Sequence, residues 1–213
     1  MSLERQLSNI GFYINAPKEK LDFIDSDIEE SILQAIYSFD SNSRLLPLVF
    51  TWGEIHGKHL IADKFFNTYN LIKKVKGDSP WVSAFCALLS SCGDRRFNKG
   101  VIRSKKAVYL RGQNVDILIK NRGAIEFLKE INILVPLHYY EFQERKIMTP
   151  QKLIKINPQY RNRFIYGTNW RSEIITMIEY GFENPHKISK HLNIGYPRVR
   201  EVFKDYELVK NVG

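Results

Sequence analysis

A chain of 213 residues, 44% of them apolar, is long enough for one large or two small hydrophobic cores, and its net charge of +9 makes it basic. No run approaches the roughly 18 apolar residues of a membrane span, and Met1-Ser-Leu-Glu-Arg lacks the charged-then-apolar layout of a secretory leader, so a cytoplasmic protein without a membrane partner is expected. Cys86 and Cys92 belong to no CxxC pair with matching histidines and read as buried free thiols.

From Met1 to Asp25 the pattern is weak, and Pro17 among Lys18, Glu19 and Lys20 marks a loop or arm. Ser26-Asp-Ile-Glu29 matches a capping box, in which serine and glutamate satisfy each other's free backbone N–H groups. Ile28, Ile32, Leu33 and Ile36 follow at helical spacing, predicting a helix to about Phe39 and a turn over Asp40-Ser-Asn-Ser43. Arg44 to Ile55 is apolar on most sides and predicts a core helix, with Pro47 tolerable only near its first turn. Gly57 stops it, and Leu60, Ile61, Phe65, Phe66, Tyr69 and Leu71 predict an amphipathic helix to about Lys74. His56 and His59 have no carboxylate or cysteine at ligand spacing and read as surface turn residues, not a metal pair. Ser79-Pro80 is a cap-plus-proline start, and Trp81, Phe85, Leu88 and Leu89 form a stripe ending near Cys92-Gly93.

Asp94-Arg95-Arg96-Phe97-Asn98-Lys99 opens the most basic block. From Gln113 to Lys120, Val115, Ile117 and Ile119 stand at every second position, which favours a strand. With Arg111-Gly112-Gln113-Asn114 as the turn, the block reads as a basic β-ribbon. Ala124 to Ile133 predicts a helix, and Leu134-Val-Pro-Leu137 and Tyr139 to Phe142 look extended. Thr149-Pro150 starts another helix, leading to Gln159-Tyr-Arg-Asn-Arg-Phe-Ile-Tyr-Gly167, where arginines and aromatics interleave. Tyr160, Phe164 and Trp170 read as packing residues, with Arg161 and Arg163 outside.

From Trp170 onward three helices are expected. Ile174, Ile175, Ile178 and Phe182 repeat at three and four residues and Gly181 ends the first helix; Asn184-Pro185 starts the second. In that helix Ile188 and Leu192 face inward, and Ser189 is small where the next helix would cross closely. Asn193 and Gly195 permit a sharp turn. Val199, Val202 and Phe203 form the inner face of the third helix, closed by Tyr206, Leu208 and Val209, and Tyr196, Arg198, Arg200, Glu201 and Lys204 are left outside.

Charge is unevenly placed. Residues 95–122 carry nine Lys/Arg against Asp116 alone and residues 145–163 six against none, whereas 1–94 and 123–144 are each net −3 and 168–213 net +1. Blocks of one sign suit a polyanion, because each cation that neutralises a phosphate releases a counterion. The alternative is a set of solvated faces on a basic protein.

The order small residue, leucine, turn residue, valine over residues 189–199 resembles the helix-turn-helix of bacterial winged-helix transcription regulators, over about a fifth of the chain. Ser189 stands where alanine is usual and Gly195 where serine or threonine often caps, and little chain follows Val209 for a two-stranded wing. The chain as a whole resembles uncharacterised bacterial proteins carrying the Gln159–Gly167 segment ahead of such a unit, a likeness that implies no activity. The resemblance implies a regulator bound to double-stranded DNA. Tyr196, Arg198, Arg200 and Lys204 would read the major groove, Lys187 and Lys190 would hold phosphates, and Arg95, Arg96, Arg103, Arg161 and Arg163 would add contacts. A homodimer is expected from how such modules read two half-sites. Two rival readings are a protein-interaction module and an antitoxin-type partner protein. No phosphate-cradling, HExxH or GxSxG motif occurs, so no catalytic residue, metal or cofactor is expected. The architecture expected is mainly α with a few short strands: a helical domain over 1–94, a basic central region over 95–167 and a helix-turn-helix domain over 168–213.

Overall fold

Side-chain caps set many of the helix starts in the computed structural model, which describes residues 1–14, 26–110 and 115–210. The chain is mainly helical and divides into two units, residues 1–150 and 151–213.

In the first unit, α1 (Leu3–Asn9) is capped by Ser2, although its sequence pattern is weak. The α2 helix (Ile28–Tyr37) is capped by Asp27, which accepts from the Glu30 N–H at 3.0 Å, so the expected capping box gives way to a cap one residue later. Ser26 bonds Asn9 instead, and Glu29 turns inward, where its carboxylate accepts from the Ile61 N–H at 2.9 Å and meets Lys64 at 3.6 Å. The core is built from α2, α3 (Leu45–His56), α4 (Ala62–Lys76) and α5 (Pro80–Ser91), with Ile32, Leu46, Phe50, Trp52, Phe65, Trp81 and Phe85 buried. Trp52 donates its indole N–H to the Ile10 carbonyl at 2.8 Å, tying α3 to the residues after α1. His56 and His59 are buried, not surface residues: a 3-10 turn at Gly57–His59 folds the joint between α3 and α4 inward. Of the two thiols, Cys86 is buried and pushed up to about 12 by burial, whereas Cys92, past the end of α5, is exposed.

The basic middle departs from a β-ribbon. Residues 115–120 lie in a helix, α6 (Val115–Arg122), because Val115, Leu118 and Ile119 also fit helical spacing, and Ile117 is exposed. The Pro17 loop and the Arg111–Asn114 turn lie outside the described residues. Strand β1 (Val108–Tyr109) pairs in parallel with β2 (Ile133–Leu134), the one sheet among the described residues. The helix expected to reach Ile133 shrinks to α7 (Glu126–Lys129), since Asn132 takes a left-handed φ of 63° and delivers the chain into β2. Tyr139 and Tyr140 belong to a 3-10 turn, not an extended run; Tyr140 meets the rings of Phe50 and Phe127 edge-on at 6.3 and 5.5 Å.

The second unit holds most of α8 (Pro150–Ile156), α9 (Pro158–Tyr166), α10 (Trp170–Glu179), α11 (Pro185–Leu192) and α12 (Tyr196–Lys210). No described helix is long and apolar enough to cross a membrane.

Candidate nucleic-acid interface

Two layers of contact build the C-terminal unit. Between α9 and α10 the seam is polar: Arg163 and Glu173 pair at 2.8 Å with both side chains fully buried, Gln159 donates to Glu173 at 2.9 Å, and Asn162 donates to Thr176 at 3.0 Å. Arg163 therefore lies inside, against expectation, and is withdrawn from any surface role. Arg161 is partly exposed and pairs with Glu179 at 3.0 Å. Tyr160 is buried as expected, while Phe164 is 55% exposed.

Among α10, α11 and α12 the contact is apolar, a cluster of Ile174, Ile175, Met177, Ile188, Val199, Val202 and Phe203, with Leu192, Ile194 and Tyr206 at its margin. Leu208 and Val209 stay out of it, at 67% and 75% exposed, because the last turn of α12 runs past that core. Asn184 caps α11 by accepting from the His186 N–H at 2.8 Å, and Pro185 takes the first helical position. Asn193 ends α11 in the left-handed region, at φ 52° and ψ 47°. The Ser189 hydroxyl donates to the Ile194 carbonyl at 2.7 Å, so this residue ties the turn as well as being small. Three residues separate α11 from α12.

This frame leaves Arg198, Arg200, Glu201 and Lys204 exposed on α12 and Lys187 and Lys190 exposed on α11. Tyr196 is half-buried, its ring stacked on His186 with centroids 4.0 Å apart and planes 9° apart. That stack escapes sequence reading, because ten residues and a turn separate its members. None of Lys187, Lys190, Arg198, Arg200 and Lys204 has a carboxylate within 4.0 Å among the described residues, whereas Arg161, Arg163 and Arg171 are all paired.

The remaining candidates sit in the first unit. Arg95 and Arg103 are exposed; Arg96 is gripped by Asp94 at 2.6 Å and donates to the Lys58 carbonyl at 3.1 Å, which offsets its charge. Among the described residues no three His, Cys, Asp or Glu side chains gather as metal ligands. No protein-family model, curated protein or solved structure matches the chain.

Proposed function

We propose that the C-terminal unit is a helix-turn-helix that binds double-stranded DNA, and that the chain is a DNA-binding protein of the transcription-regulator kind. The observation that carries this reading is that Lys187, Lys190, Arg198, Arg200 and Lys204 stand exposed, with no carboxylate partner among the described residues, beside a closed apolar core. A cation already matched to a carboxylate gains little from a phosphate; these five have no such competitor.

With α12 in the major groove, Arg198 and Arg200 reach base edges, Arg198 being first in line for a guanine. Glu201 follows Arg200 directly in sequence, and as an acceptor it suits a cytosine amine and disfavours a phosphate. Lys187 and Lys190, on the preceding helix, hold the backbone.

The test is fluorescence anisotropy of the full chain on a random-sequence duplex, titrated from about 50 to 200 mM salt, with Lys190→Ala and Arg198→Ala beside the parent. Binding through six or more phosphates loses orders of magnitude over that range, and Lys190→Ala flattens the salt slope by about one. Arg198→Ala costs about 1–3 kcal/mol at one base position of a selected sequence. Salt-independent binding, or none, would sink the reading and favour protein association, for which exposed Leu208 and Val209 offer apolar contact.

A further inference from the structure

The N-terminal unit contains a cleft of about 600 Å³, inside the roughly 300–1,000 Å³ range of small-molecule sites. Three stretches far apart in sequence make it: the residues after α1, the start of α3, and the segment from His138 to Lys146. Backbone bonds fix them. The Tyr13 N–H donates to the Lys146 carbonyl at 2.8 Å, and Phe12 bridges Ile147. At the start of α3 the Leu45 and Leu46 N–H groups are taken by the Asn42 and Ser43 carbonyls, so a ligand there would be met by side chains.

The lining is amphipathic. Ile14, Pro47 and Leu48 are half-buried and apolar, and Tyr139, its ring 4.4 Å from that of His138, adds a flat aromatic wall. Arg44 and Lys146 line the same cleft, are exposed, and have no carboxylate within 4.0 Å among the described residues. Glu141 is the single carboxylate among the described residues of the lining, so the cations there outnumber it.

We infer that this cleft binds a small organic anion, a flat ring lying against Pro47, Leu48 and Tyr139 and a carboxylate or phosphate taken by Arg44 and Lys146. A guanidinium and an ammonium together suit either group, and a charge-assisted hydrogen bond of this kind is stronger than a neutral one. The inference stands apart from the DNA reading, since its residues belong to the other unit.

The probe is anilinonaphthalene sulfonate, a fluorescent flat anion, titrated into the full chain and then displaced by adenosine monophosphate in one arm and indole acetate in the other. Arg44→Gln/Lys146→Gln should weaken probe binding at least about tenfold, and Leu48→Trp, which fills the cleft, should do the same. The charge-matched control Lys74→Gln/Lys120→Gln, at two exposed lysines outside the cleft, should stay within about twofold. Circular dichroism checks that each variant is folded. Displacement by the nucleotide assigns a phosphate, by indole acetate a carboxylate, and either supports the site. Failure of both competitors, unchanged binding in the cleft variants, or displacement by random duplex DNA through Arg44 and Lys146 would overturn it.

Discussion

Arg163 and Glu173 face each other at 2.8 Å across the seam between α9 and α10, and neither side chain touches solvent. Taking both ions out of water costs several kcal/mol each, which their attraction offsets only with further hydrogen bonds, such as the one from Gln159 to Glu173. The arginine-rich Gln159–Gly167 segment thus contributes packing at this point. Glu173→Gln leaves the Arg163 charge sealed without its counterion, and should lower unfolding stability by about 3–5 kcal/mol. Arg161→Ala breaks a partly exposed pair and should cost under about 1 kcal/mol. Urea denaturation of the two variants decides it; equal losses would mean that the buried pair has no special weight.

What could be read from sequence was mostly local chemistry. Ser79-Pro80, Thr149-Pro150 and Asn184-Pro185 all open helices, because proline at the first position needs only the residues beside it. The outward set on α11 and α12 was legible for the same reason: once Ile188, Val199, Val202 and Phe203 face in, Lys187, Lys190, Arg198, Arg200 and Lys204 face out. Long-range partners defeated the reading. Arg163 looks like a surface arginine until Glu173 is placed against it, and His56 like a turn residue until the Met148 carbonyl, 92 residues on, accepts its hydrogen bond. Residues 115–120 satisfy a period of two and a helical period at once, and the exposure of Ile117 separates them. The cleft was illegible because its walls come from three distant stretches.

Acid should find His56 early. Its ring packs on Trp52 with centroids 5.2 Å apart, and its Nε2–H donates to the Met148 carbonyl at 2.9 Å. Burial, the largest influence, lowers its pKa from 6.5 to about 4, against a smaller opposing effect of the Met148 bond. The folded value lies below the unfolded one, so the unfolded chain takes the proton first. The stability this neutral ring confers is whole above about pH 6.5 and drains away as pH falls toward 4, by about 3 kcal/mol. His56→Gln keeps a donor and loses the titration. Denaturant midpoints of both proteins between those pH values should diverge by about that amount, and parallel curves would refute it.

Asn193 carries the turn on which the proposed docking depends. Its left-handed conformation, φ 52° and ψ 47°, costs an ordinary L-residue about 1–2 kcal/mol, less for asparagine and nothing steric for glycine. Gly195 has no such role, since its φ is not in the left-handed range. Asn193→Gly should therefore leave stability within about 0.5 kcal/mol, and Asn193→Val should lower it by about 1–2 kcal/mol. The Ser189 hydroxyl, bonded to the Ile194 carbonyl at 2.7 Å, braces the same turn, and Ser189→Ala should cost about 1 kcal/mol. If the turn sets where Arg198 and Arg200 stand, these variants separate position from stability. Measured at a temperature where each is fully folded, the glycine variant should bind a random duplex as the parent does and the valine variant more weakly. Matching affinities in all three would show that the register between α11 and α12 does not govern binding.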